Sequence, residues 1–378
     1  MSGSAKNTIL SKLPAPVREE WFLGVNVLTS VVFICFGNAM MAGLANPLVL
    51  VLVFAWLFLV VLGSVVCVVR HADHLAVRLG EPYGTLILTL AVTAIEVISI
   101  STMMLHGGSN PTLVRDTLFA VVMIILNGMV GISLLVGGWR HREQQFNLQG
   151  ANAYLSVIIP LAVMTLILPN YTTTTVGPTL SFVQEVFLAV MSIGLYGIFL
   201  LIQTNRHRMY FVMGEAKDAH GEHPPGTSRS LKAHTALLVA YMAPVVFLTE
   251  QLAQPIDYLI EVVRAPAALG GAIIAIMVAT PEAIGAVKAA RANQLQRSVN
   301  IFLGSVLATI GLTVPTMLII SHVTGKKIVL GVEHSDLVLL PLTLVVSIVT
   351  FASGRTNILQ GAVHTLLFVA YLVLLFEG

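Results

Sequence analysis

Long runs of apolar residues, separated by short polar breaks, dominate the chain. A helix of about 20 apolar residues crosses the hydrocarbon core of a bilayer. Hydropathy, with glycine, proline and charged residues as boundaries, predicts eleven such helices. Their predicted ranges are 21–43, 47–69, 84–105, 114–138, 152–169, 181–203, 233–252, 266–289, 298–322, 336–352 and 356–376. The pattern therefore predicts an all-α polytopic membrane protein.

Composition and charge agree with this class. Of the 378 residues, 56% are hydrophobic and only 10% are charged, whereas about a quarter of a soluble domain is charged. The net charge of +2 and the lack of a basic patch give no indication of nucleic-acid binding. Lipid is the expected surrounding, and the oligomeric state is left open.

The positions of the positive charges predict an orientation. With the amino terminus in the cytoplasm, only four of the 20 lysines and arginines fall on the outer side, namely Arg115, Arg264, Lys326 and Lys327. This strong bias follows the positive-inside rule, and one missed span would largely remove it. We therefore expect a cytoplasmic amino terminus and a carboxyl terminus outside.

Two pairs of helices repeat along the chain. GTLILTLAVTAIE (84–96) aligns with GGAIIAIMVATPE (270–282), and RDTLFAVVMIILNG (115–128) aligns with RSVNIFLGSVLATI (297–310). The copies are five spans apart, so they enter the membrane from opposite sides, as in the inverted repeats of secondary transporters. One extra amino-terminal helix and two inverted five-helix repeats are predicted.

This repeat divides the chain into four parts. Residues 1–46 are expected to hold a cytoplasmic amino terminus and the extra helix, and residues 47–203 the first repeat. A cytoplasmic loop is predicted at 204–232, and the second repeat at 233–378. The loop contains GEAKDAHGEHPP, a stretch that favours a solvated linker over a metal or pH sensor because its spacing matches no defined site.

Four glutamates fall within predicted spans. Glu185 and Glu250 lie near the outer ends of their spans, where water or headgroups reach them, whereas Glu96 and Glu282 lie near mid-membrane. A charge at mid-membrane costs about 2.5–3.5 kcal/mol on insertion scales, so something must compensate it. Inverted repeats place such residues together at the midplane, where transporters bind substrate and coupling ions.

Several residues in the same repeats as the two glutamates offer further oxygen ligands. Pro281 has no N–H to donate to the carbonyl of Met277, which leaves that carbonyl available. Carboxylates, carbonyls, amides and hydroxyls are hard ligands that suit calcium or sodium. For the hydroxyls and the amide, ordinary hydrogen bonding between helices is the alternative role. The predicted ligand set is Glu96, Glu282, Thr93, Asn127, Met277, Ser305 and Thr309.

Several long stretches resemble the cation/calcium exchanger superfamily, and within it the bacterial ChaA-type calcium/proton antiporters. They are VVRHADHLAVRLGEPYGTLILTL, LIQTNRH, PEAIGAVKAARANQLQRSVNIFLGSVLATIGLTVP and SGRTNILQGAVH. The resemblance implies two inverted five-helix halves with alternating access in the bacterial cytoplasmic (inner) membrane. It also implies that Glu96 and Glu282 bind the exchanged cation and couple it to protons.

The repeats depart from one feature of that superfamily. Many calcium/proton exchangers carry Gly-Asn-Ala-Thr-Glu, with asparagine three residues before the glutamate. In this chain that position is Thr93 in one copy and Ala279 in the other. ChaA-type proteins are also associated with exchange of sodium and potassium for protons. The choice among calcium, sodium and potassium therefore stays open.

The expected function is export of calcium from the cytoplasm in exchange for protons, without a resident cofactor. A sodium or potassium/proton antiporter on the same scaffold is the main alternative, and a sodium/calcium exchanger is the next. A channel needs no inverted pair of gated carboxylates. The predicted spans contain no nucleophile–base pair and no metal-ligand motif of an enzyme, which predicts a transporter.

Overall fold

Eleven apolar helices make up the protein in a computed structural model, which describes residues 20–80, 83–106, 110–212 and 230–377. Ten of the helices in this described part are long and apolar enough to cross a membrane, and α10 is a shorter apolar helix. The helices are α1 Trp21–Ala42, α2 Pro47–Leu79, α3 Tyr83–His106, α4 Leu113–His141, α5 Leu148–Asn170, α6 Phe182–Arg206, α7 Leu231–Glu261, α8 Ala268–Arg291, α9 Leu295–Thr324, α10 Asp336–Phe351 and α11 Ile358–Glu377. The predicted all-α membrane fold is confirmed.

Two helices extend well beyond their predicted spans. Helix α2 continues past residue 69 to Leu79, and α7 continues past residue 252 to Glu261. Hydropathy falls where polar residues enter each helix, but one face stays buried, including His71 in α2 and Ile256 in α7. Packing against neighbouring helices therefore continues both helices after the membrane signal ends, and α2 and α7 pack closely on each other.

Helix contacts recur in matching pairs. When α2–α6 are matched in order with α7–α11, the contact of α8 with α2 is equivalent to the contact of α3 with α7. The contact of α11 with α4 is likewise equivalent to the contact of α6 with α9. Likewise, α5 packs on α9 and α10 packs on α4. This pairing is what two related groups of five helices, α2–α6 and α7–α11, produce when they face each other.

The connections collect at two opposite ends of the helices. At one end, the backbone N–H groups of Val329 and Gly331 donate to the carbonyls of Pro111 and Pro178, which joins the loop before α10 to two others. At the other end, strands β1 (Glu143–Gln145) and β2 (Arg355–Asn357) form a short antiparallel ribbon that the sequence did not predict. Alternating loops at opposite ends are what successive membrane crossings require.

Helices α4 and α9 form much of the buried centre, and both are interrupted by a π-helical turn. The turn spans Ile124–Met129 in α4 and Thr309–Thr313 in α9. In the repeat alignment Asn127 corresponds to Thr309, so the two turns occupy related places. Single π-turns inside α-helices are frequent at functional sites because they redirect side chains.

Candidate cation site

Glu96 of α3 is buried at the centre of the helix bundle, with only 1% of its surface exposed. Its Oε2 atom accepts hydrogen bonds from the hydroxyls of Thr309, at 2.9 Å, and Thr313, at 3.1 Å. Its Oε1 atom is buried without a hydrogen-bond partner among the described residues. Half of this carboxylate is therefore held in place, and the other half is available to a proton or a cation.

Glu282 of α8 approaches the same helix. Its carboxylate lies near the Ser305 hydroxyl and near enough to Glu96 for the two charges to interact. Its Oε2 atom is also buried and has no partner within the described part of the chain. The structure thus brings the two mid-membrane glutamates of the repeats together.

A single face of α9 joins the two acids. Ser305, Thr309 and Thr313 are spaced four residues apart, so their hydroxyls follow one side of the helix. Four residues of helix rise about 6 Å, which is a span that one coordinated ion and its ligands can bridge. Ser305 faces Glu282, and the two threonines face Glu96.

No basic side chain within the described ranges forms an ion pair with either glutamate. Burying an ionised carboxylate without a partner is very costly. Each glutamate must therefore carry a proton or share a cation whenever the site is closed to water.

The remaining predicted ligands have different surroundings. Thr93 is buried one turn before Glu96, and Met277 is buried on α8, which remains helical through Pro281. No described hydrogen bond joins either residue to a glutamate carboxylate. Thr93 and Met277 precede the two acids on the same helices, and their participation as ligands stays a prediction.

Asn127 lies in a different group of hydrogen bonds. Its Nδ2 atom donates to the Thr343 hydroxyl at 2.9 Å, and its Oδ1 atom lies 3.3 Å from Nδ1 of His364. The structure therefore directs this amide toward α10 and α11, whereas the sequence prediction directed it toward the glutamates. The repeat alignment identified the position correctly but carried no information on these partners.

Thr313 is the residue that the sequence analysis missed. It follows Thr309 by four residues, so the same helical spacing that grouped Ser305 with Thr309 also indicated Thr313. In the first repeat its counterpart is Gly131, which has no side chain to compare. Symmetry alone therefore gave no reason to include it.

The two outer glutamates differ in placement. Glu185 lies in the first turn of α6, as expected for a residue at the end of a span. Glu250, by contrast, lies well inside α7, because that helix continues to Glu261. The stretch GEAKDAHGEHPP, which is expected to be a solvated linker, lies outside the described residues.

Comparison with known proteins identifies the family. Residues 49–205 and 233–377 match the model of the sodium/calcium exchanger protein family. The chain is 43% identical over 316 residues to a putative ionic transporter, y4hA, of Sinorhizobium fredii, covering 82% of this chain and 85% of that protein. It is 41% identical over 320 residues to the sodium-potassium/proton antiporter ChaA of Escherichia coli, covering 84% and 86%.

A solved structure shares the fold. The Ca²⁺/H⁺ antiporter protein YfkE superposes with a TM-score of 0.70 at 20% identity, covering 94% of this chain and 98% of that one. At this identity the likeness establishes the fold alone. The family match over most of the chain and the ten long apolar helices of its described part identify a multi-pass membrane transporter rather than an enzyme. The protein belongs to the sodium/calcium exchanger family of cation antiporters.

Proposed function

We propose that the protein exchanges a cation for protons at one site formed by Glu96 and Glu282. The observation that carries this proposal is the pair of carboxylates, from α3 and α8, that face the hydroxyls of α9 and have no basic partner among the described residues. Such a site is stable when protons or a cation neutralise it and costly when it is empty and ionised. Exchange follows, because only a loaded site reorients between the two sides of the membrane.

Sodium and potassium are the first candidates for the transported cation. The 41% identical relative from Escherichia coli is named a sodium-potassium/proton antiporter. At the two-glutamate site, a monovalent ion neutralises one carboxylate while the other keeps its proton. One proton would then be exchanged for each ion.

Calcium is the second candidate, and the charge of the site supports it. Two ionised carboxylates balance one divalent cation. Two of their buried oxygens, Glu96 Oε1 and Glu282 Oε2, have no hydrogen-bond partner in the described part of the chain and are hard ligands of the kind calcium prefers. In this case the two protons leave as calcium enters. Thr93, Met277, Ser305 and Thr309 are the proposed additional ligands.

The proposed physiological direction is export from the cytoplasm, driven by the proton gradient across a bacterial cytoplasmic membrane. The distribution of lysine and arginine supports a cytoplasmic amino terminus and an outer carboxyl terminus. The two segments matched by the family model, 49–205 and 233–377, lie close to the two predicted repeats and support that division.

The test is flux in liposomes that contain the purified protein and a pH gradient. Calcium, sodium and potassium are supplied one at a time, and both cation uptake and internal pH are followed. We expect exchange of the transported cation for protons to be lost in Glu96→Gln and in Glu282→Gln. The matched control Glu185→Gln, at the end of α6, should retain wild-type flux.

Two outcomes contradict the proposal. Robust exchange of any of the three cations for protons in both glutamine variants would remove the two glutamates from the mechanism. Cation conductance without proton movement would identify a channel instead.

A further inference from the structure

A chain of buried hydrogen bonds joins α4, α10 and α11, and the π-helical turn of α4 that holds Asn127 also packs on α8 and α9. Nδ1 of His364 lies 3.3 Å from the Asn127 oxygen, which only accepts hydrogen bonds, so Nδ1 carries the hydrogen. The Nε2 atom of the neutral imidazole is then an acceptor, and the Thr350 hydroxyl donates to it at 2.9 Å. Asn127 in turn donates to Thr343, whose hydroxyl lies 3.6 Å from the sulfur of Met123.

Each polar atom of Asn127 is engaged in this chain. Its oxygen accepts from His364, and its Nδ2 atom donates to Thr343 and contacts the Met123 sulfur at 3.5 Å. Asn127 and His364 are both fully buried, with 0% exposure. The amide is therefore held in one orientation, with its oxygen toward α11.

The residue at the equivalent position in the second half of the protein has different hydrogen-bond partners. Asn127 of α4 aligns with Thr309 of α9, and both lie in π-helical turns. Thr309 donates directly to Glu96, a glutamate of the other half. The symmetric partner of Asn127 would be Glu282, but the amide bonds to α10 and α11 instead. Thr309 therefore bonds to a glutamate of the other half, whereas Asn127 bonds to α10 and α11 of the other half.

We propose that His364 is a positioning residue that competes with the transported cation for the oxygen of Asn127. While the Nδ1–H group of His364 holds that oxygen, it cannot serve as a cation ligand. A cation that recruits Asn127 must first displace this hydrogen bond, which weakens binding and favours release. This inference rests on the proposed two-glutamate site and adds a residue of α11 to it.

Two substitutions of His364 separate the two nitrogen atoms of its ring. In His364→Gln, the side-chain oxygen takes the place of Nε2 and still accepts from Thr350, but the donor to Asn127 is lost. In His364→Asn, the side-chain amide takes the place of Nδ1 and still donates to Asn127, but the contact with Thr350 is lost. Each variant loses one buried hydrogen bond, so their effects on folding should be similar.

We expect the glutamine variant to bind cation more tightly. The net free energy of one hydrogen bond corresponds to roughly a two- to ten-fold change in affinity, so KM should fall by that factor. Turnover should fall as well, because the cation is released more slowly. The asparagine variant should keep the wild-type KM. Flux in liposomes measures KM and turnover, and titration calorimetry with sodium or calcium measures affinity directly.

A double-mutant cycle locates the effect. In an Asn127→Ala background, His364→Gln should no longer change KM, because the competing oxygen is absent. If His364→Gln does not fold, which a thermal unfolding scan reveals, His364→Leu removes the same donor without burying an amide.

The outcomes separate this inference from the proposed function. Equal KM values in the glutamine and asparagine variants, or a higher KM in the glutamine variant, would overturn the role of His364. A wild-type protein that exchanges no cation for protons would instead overturn the proposed function.

Discussion

The two hydroxyls on Glu96 offer the sharpest test of the site. Thr309 and Thr313 donate to the same oxygen, Oε2, at 2.9 and 3.1 Å, and leave Oε1 available. Replacing either threonine with valine keeps the shape of the side chain and removes the donor. The ionised carboxylate, which is the form that binds a cation, then loses part of its stabilisation.

The expected magnitude follows from the charge of the acceptor. A hydrogen bond to a charged group contributes about 1.5–3 kcal/mol, and about 1.4 kcal/mol corresponds to a tenfold change in affinity. Thr309→Val and Thr313→Val should therefore each raise the cation KM by roughly tenfold or more. The double variant should show less than the product of the two effects, because both donors share one oxygen.

Flux in liposomes at fixed pH measures these KM values. Thr316→Val is the matched control, since this threonine is on the same helix but donates to the carbonyl of Leu312 at 2.7 Å. It should keep a KM within twofold of wild type. If Thr309→Val and Thr313→Val also stayed within twofold while folding normally, Glu96 would not bind the cation in the geometry described.

Three further predictions concern packing, charge and orientation. A Cβ atom at Gly131 would lie 2.5 Å from Oγ1 of Thr365, so Gly131→Val should separate α4 from α11 and lower the thermal unfolding temperature. An unchanged temperature would show that the contact is loose. Arg115 pairs with the buried Asp116 at 2.7 Å, so Arg115→Ala should lower the free energy of unfolding by about 3–5 kcal/mol. A loss no larger than that of the exposed control Lys288→Ala would refute the role of the pair. Reporter fusions should find the amino terminus in the cytoplasm and the carboxyl terminus outside, and both termini on one side would exclude eleven crossings.

Periodicity and hydropathy were sufficient to predict the helices and the two central acids. Glu96 and Glu282 stood out because a charge in mid-membrane is costly and because the two lie at equivalent places of a repeat. In the structure both acids lie against the hydroxyl-bearing face of α9. Their role in transport remains a proposal.

Contacts between distant parts of the chain were not predictable. The ends of α2 and α7 were placed too early, because tertiary packing, rather than apolar composition, continues those helices. The amide of Asn127 was expected at the cation site, but its partners, Thr343 and His364, lie more than 200 residues away in sequence. No local pattern specifies which of several buried polar groups an amide will contact.

Proton release from the purified protein tests the central claim most directly. A cation is added to the protein in weakly buffered detergent solution, and the change in pH is recorded. We expect release of about two protons per bound calcium, or about one per sodium, and one fewer per calcium in Glu282→Gln. Cation binding that releases no protons, or a release unchanged in both Glu96→Gln and Glu282→Gln, would contradict the account.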